Sequence, residues 1–224
     1  MLRVTCPLVF GLISLLAPQA NADFFLGAGL GSDTIDFQQR ANVYQPGAFG
    51  FNVIDKTHLS GTGVFGTIFA GYGYLKNKLY LAAELNANLS STSFKSSNKE
   101  YVHANFSSTQ YKIINGYGIS LLPGYQYSEN TLFYVRMGYI NSKLVIRSTE
   151  PLIDNKSYLR DGFRVGLGIK QTLTKRVSVR MGYSQAQYVD TTLNLFDSTS
   201  FVTKHTIISP RQQLVELAIV VRAD

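Results

Sequence analysis

Leu79-Tyr80-Leu81-Ala82-Ala83-Glu84-Leu85-Asn86-Ala87-Asn88-Leu89 is the stretch that decides the fold. Every odd position in it is apolar, and the even positions hold Tyr80, Ala82, Glu84, Asn86 and Asn88. A period of two belongs to a strand with one greasy face and one polar or small face. The alternation returns in residues 163–169, where Phe163, Val165, Leu167 and Ile169 face away from Arg164, Gly166 and Gly168. It returns again where Val177, Val179, Met181 and Tyr183 alternate with Ser178, Arg180 and Gly182, and from Val215 to Val221 around Glu216, Ala218 and Val220.

Extending the pattern outward gives eight strands, near 24–41, 62–76, 78–95, 111–128, 131–148, 159–174, 176–190 and 212–223. Most exceed the ~9–11 residues that a tilted strand needs to cross a membrane. Their connections alternate in length. Lys76-Asn77-Lys78, Ser128-Glu129-Asn130 and Thr174-Lys175 are tight polar turns, whereas 42–61, 96–110, 149–158 and 191–211 are long and rich in Ser, Thr and Asn. The expected fold is all-β: an eight-stranded antiparallel up-and-down transmembrane β-barrel with short periplasmic turns and long extracellular loops. An even count puts both termini on the periplasmic side.

Composition agrees. The 224 residues are 45% hydrophobic but only 16% charged, against roughly 25% charged in an average soluble domain. There are 19 Gly, 14 Tyr, 14 Phe and only 6 Pro, which suits many strands closed by turns. Residues 1–22 read as a signal peptide: Arg3 is the positive end, residues 6–17 are apolar, and Ala20-Asn21-Ala22 is a small-x-small cleavage pattern before Asp23. The apolar run is too short for the ~20 residues of a spanning helix. Residues 23–224 are then the barrel domain. The single cysteine, Cys6, lies in the segment expected to be removed, which excludes a disulfide scaffold.

With leader, strand count and loop alternation in hand, the chain resembles the small eight-stranded outer-membrane barrels. It is similar to the transmembrane domain of outer membrane protein A and to opacity-type surface proteins, over residues 23–224. The resemblance implies an outer-membrane location, a monomer, contact with outer-membrane lipid and lipopolysaccharide, and extracellular loops that meet a host or cell-surface ligand, as in adhesion. Such barrels commonly end in an aromatic residue; this chain ends Val221-Arg222-Ala223-Asp224.

The interior of an eight-stranded barrel is just wide enough for side chains to fill. Alternation points Glu84, Arg136, Arg164, Lys170, Arg180, Glu216 and Arg222 inward. Arg180 and Glu216 suit a cross-strand pair, and Glu84 and Arg136 suit a contact across the lumen. The expectation is a salt-bridged structural plug, with a small porin-like channel as the alternative. Val135-Arg136-Met137-Gly138-Tyr139 recurs letter for letter as Val179-Arg180-Met181-Gly182-Tyr183. Equivalent barrel positions wanting equal residues account for this more simply than a duplicated site.

A lipid-modifying outer-membrane enzyme is the third reading. Such an enzyme needs a nucleophile with a base in reach. His58, His103 and His205 all fall in the long segments, with Ser and Thr nearby only as composition dictates. No catalytic residue, cofactor or metal site is therefore expected. The formal charge of +7 has no single basic stripe, so no nucleic-acid partner is expected either. Lys56, Lys95, Lys99, Lys156, Lys204 and Arg211 in the long segments are instead available to anionic lipopolysaccharide or glycans.

Overall fold

The computed structural model describes residues 21–48, 50–99, 106–149, 156–197 and 201–223. The expected signal peptide therefore lies almost wholly outside the described residues. Ten strand segments follow one another: β1 (Asn21–Gln45), β2 (Phe51–Lys76), β3 (Leu79–Ser90), β4 (Ser93–Lys99), β5 (Phe106–Gln126), β6 (Thr131–Ser148), β7 (Lys156–Thr172), β8 (Val177–Tyr188), β9 (Thr191–Asp197) and β10 (Val202–Ala223). Neighbours along the chain pair antiparallel, and β10 returns to β1 from Phe24↔Ala223 to Tyr44↔Thr203. That ladder closes the ring and removes the sheet edges that an isolated sheet would expose to lipid. β3 with β4 and β8 with β9 are each one wall strand with a short break, so the wall has eight strands.

The short turns follow from local backbone chemistry. Asn77 (φ 49°) and Lys78 (φ 72°) are both left-handed, the two-residue hairpin geometry whose twist matches that of its flanking strands. Lys76 and Leu79 pair directly across it.

The faces fall where the alternation puts them. Leu85 is 62% exposed, and Leu81, Val165, Leu167 and Leu217 lie on the same outer surface. Asn86, next to Leu85, is only 7% exposed and points into the bore. Aromatic side chains stand on the outer wall at two heights: Phe24, Tyr72, Tyr125 and Phe133 near the short turns, and Tyr117, Tyr139, Phe163 and Tyr183 further up. Rings at two levels flanking an apolar band are the girdles of a bilayer-spanning barrel.

The strands run longer than the sequence pattern suggested. Most of 51–61 and 202–211, and parts of the other two long segments, are strand extensions beyond the apolar band. The reason is an inversion of faces. In lower β1, Leu26 and Leu30 point out; in upper β1, Ile35, Phe37 and Ala41 point in while Arg40 and Asn42 point to solvent. On β6, Val135 and Met137 point out below, whereas Leu144 and Ile146 point in above. Lipid demands an apolar exterior; water above the membrane demands the reverse. Polar outward residues in those extensions look like loop composition in the sequence.

Above the breaks, β2 keeps only β1 as its ladder partner and β7 keeps only β6. The ring there parts into two halves, β9-β10-β1-β2 and β4-β5-β6-β7, facing one another across an apolar core. Phe37 of β1 meets Phe94 of β4 and Tyr111 of β5 with ring centroids 5.1 and 5.5 Å apart. Ile35, Ile113, Ile140, Leu144, Ile146 and Ile208 complete that core.

An arginine at Leu85 should destabilise the barrel by about 2–4 kcal/mol, because that side chain faces hydrocarbon. Asn42→Arg, outward but above the apolar band, should change stability by no more than about 0.5 kcal/mol. Urea unfolding in lipid vesicles reads both; equal effects would contradict the assigned band.

Candidate functional site

Polar side chains in the bore are stacked between two apolar plugs. Nearest the short turns is a mouth, a cavity of about 580 Å³ bordered by Asp23, Tyr80, Lys170, Thr172, Ser178 and Arg222 among others. Arg222 Nε pairs with Asp23 at 3.1 Å, tying β10 to β1 at the seam. Above the mouth, Phe25, Phe69, Ala82, Leu122, Tyr134, Ala218 and Val220 form the lower apolar cluster. Gly168 and Gly182, paired across β7 and β8, make room for Tyr134; a Cβ at Gly168 would collide with the Tyr134 hydroxyl.

Four charges then meet in one ring. Arg136 donates to Glu84 Oε1 at 3.0 Å and to Glu216 Oε2 at 3.3 Å. Arg180 donates to Glu216 Oε1 at 2.6 Å through Nη2 and to Glu84 Oε2 through Nη1. Each carboxylate thus faces both guanidiniums, and all four side chains are buried. The charges sum to zero inside the ring. The Arg180 guanidinium also lies over the Phe69 ring, 3.8 Å from its centroid, so its flat face is covered where its edge is hydrogen-bonded.

Two further charges sit above. Arg164 is buried and donates to Asn86 Oδ1 and to Ser120 Oγ, the latter at 2.8 Å. Asp33, fully buried, accepts from Ser90 Oγ at 2.6 Å, from Gln212 Nε2 at 2.9 Å and from Thr92 Oγ1. Gln212 in turn accepts from the Tyr188 hydroxyl at 2.7 Å, which lies 2.9 Å from Ser142 Oγ. Neutral dipoles therefore solvate one buried cation and one buried anion, and their charges also cancel.

This geometry is a barrel interior filled with side chains, whose four-charge ring and upper charge pair each sum to zero. The sequence matches the model of the outer membrane protein beta-barrel domain over residues 7–204. The chain belongs to that family. Its place is the outer membrane. Among solved structures of similar fold, the outer membrane protein OprG from Pseudomonas aeruginosa is 11% identical with a TM-score of 0.55, covering 90% of this chain and 96% of its own. The outer membrane protease OmpT from Escherichia coli is 11% identical with a TM-score of 0.51, covering 90% and 97%. Neisserial surface protein A is 13% identical with a TM-score of 0.44, covering 90% and 98%. At such identities the likeness concerns the fold alone. No curated protein matches the sequence significantly.

Of the seven inward charges singled out by alternation, Arg222 pairs with Asp23 in the mouth, and this outer-membrane barrel brings Glu84, Arg136, Arg180 and Glu216 together. Arg164 stands above them, and Lys170 below them in the mouth, 4.8 Å over the Tyr80 ring. The five-residue repeat delivers Arg136 and Arg180 to the same two carboxylates from β6 and β8. Asp33 went unmarked by sequence reasoning, although it continues the inward series Gly27, Gly29 and Gly31. Of the histidines, His205 contacts Asn194 and His58 has no carboxylate partner among the described residues; His103 lies outside them.

Glu84→Gln should lower stability by about 3–5 kcal/mol, because it strands a buried guanidinium charge. Glu129→Gln, in an exposed turn, should shift it by less than about 0.5 kcal/mol. Denaturant midpoints in detergent micelles or vesicles compare the two.

Proposed function

We propose that this outer-membrane barrel is a closed, non-catalytic scaffold that presents an interaction surface outside the cell. The observation that carries the reading is apolar exposure at the far tip, beyond the membrane band. Tyr44, Phe51, Val53 and Ile54 at the β1–β2 hairpin stand exposed, as do Phe196 and Phe201 beside it. Tyr44, Thr203 and Phe196 lie in register across β1, β10 and β9, so the two aromatics share one outer face. Clustered apolar side chains surrounded by polar ones, in water, mark a surface meant to be covered. Aromatic residues are the usual anchors of protein interfaces. The partner that suits this tip is a host or cell-surface protein. Outer-membrane lipid, with lipopolysaccharide in its outer leaflet, is the partner of the apolar band below.

The packed bore supports the closed part of the reading. Among the described residues the charge ring and the two apolar clusters are buried across the bore, which speaks against the small-channel alternative. The enzyme alternative finds no acid–histidine pair among the described residues to support it.

A Tyr44→Ser, Ile54→Ser, Phe196→Ser triple variant should still fold, as shown by altered migration of unboiled against boiled samples. It should lose binding to cells that the unaltered barrel binds. The unaltered barrel in a planar bilayer should give no steady conductance. Retained binding by the triple variant would overturn the tip as the site, and a stable channel would favour the porin reading.

A further inference from the structure

Lys170 carries a charge that no carboxylate among the described residues of the bore pairs with. Glu84 and Glu216 are matched by Arg136 and Arg180, Asp33 by Arg164 in sum, and Asp23 by Arg222 directly. The Lys170 ammonium rests over the Tyr80 ring. It borders the mouth, whose lining also holds Lys175, Arg176 and Arg222 against only Asp23 and Glu129. Hydroxyls stand beside it. Thr172 is the next inward residue on β7, and it faces Ser178 across the ladder. Ser178 Oγ donates to Thr172 Oγ1 at 3.4 Å, so the Thr172 proton remains for another acceptor. Phe25, Leu132 and Val220 supply apolar wall among these polar groups, Leu132 beside Lys170 and Val220 beside Ser178 across the ladders.

We propose that the mouth at the short-turn, periplasmic end binds a carboxylate. The lining holds more cations than carboxylates, which suits an anion. An ammonium with adjacent hydroxyls suits the paired oxygens of a carboxylate, which accept charge-assisted hydrogen bonds. The mouth, at about 580 Å³, falls within the ~300–1,000 Å³ of small-molecule sites. The bound group is either a free small carboxylate or the carboxyl end of a peptide. The site lies at the opposite end of the barrel from the tip, so the two proposals stand or fall separately.

The test is a titration of the folded protein in detergent micelles with acetate, N-acetylalanine, N-acetylalaninamide and inorganic phosphate. Nuclear magnetic resonance shifts at Lys170, Thr172 and Ser178 report binding, and migration of unboiled samples reports folding. Both carboxylates should produce saturable shifts there, and the neutral amide none. Tighter binding of N-acetylalanine identifies a chain end as the ligand; equal binding identifies a free small carboxylate. Lys170→Met should weaken binding by at least about tenfold, the scale of one lost hydrogen bond to a charged group. Lys170→Arg should restore most of it. Thr172→Val keeps every charge and should weaken binding too, which tests the site even if Lys170→Met does not fold. Absence of saturable shifts, unchanged affinity in Thr172→Val, or tighter binding of phosphate than of either carboxylate would overturn the proposal.

Discussion

Glu84 and Glu216 each face both Arg136 and Arg180 in a bore that only side chains can fill. Taking a single ion out of water costs several kcal/mol, and a partner repays this only with good geometry and full hydrogen bonding. The ring meets most of that demand by sharing: each carboxylate oxygen has an arginine and each arginine has two carboxylates, with only Arg136 Nε left without a partner among the ring's atoms. It also links wall strands β3, β6, β8 and β10, which lie around the circumference and do not all touch one another. Interior hydrogen bonding therefore reinforces a closure that the backbone ladders begin.

The second organising constraint is the change of solvent along the axis. Within the membrane the wall is greasy outside and encloses the charge ring and the lower apolar cluster; above it, the same strands turn polar residues outward and apolar ones inward. The crossover lies near Asp33, Ser142, Tyr188 and Gln212, whose hydrogen bonds run between β1, β6, β8 and β10. A buried polar plane of this kind has every reason to be satisfied, since an unpaired group there would cost about 1–3 kcal/mol. Above the plane, the core around Phe37, Phe94 and Tyr111 holds two half-rings together without lipid. This packed upper half carries the exposed tip away from the membrane surface.

The membrane half of this architecture was legible in the sequence because one rule governs it. Residues 79–89 alternate without exception, and Leu85 and Asn86 land on the faces that the rule assigns. The upper half reads as loop in the sequence because the rule reverses there: Asn42 and Lys56, in the long segment 42–61, occupy outward strand positions where a membrane strand would carry Leu or Val. Within the bore, alternation gives the face but not the height. Lys170 and Arg180 are register partners, yet Arg180 reaches up to the carboxylates while Lys170 lies against Tyr80 in the mouth. Asp33 escaped notice because its partners, Ser90, Thr92 and Gln212, come from distant parts of the chain.

Whether the four charges act as one unit is read by a double-mutant cycle between Glu84 and Arg180. Either single change, Glu84→Gln or Arg180→Met, leaves the ring with a net charge; together they leave Arg136 and Glu216 as a balanced pair. The account predicts that the double variant is more stable than the sum of the two single losses implies, by about 1–3 kcal/mol in urea unfolding. Losses that simply add would mean that the four side chains are independent neighbours and that the barrel is held by its ladders alone.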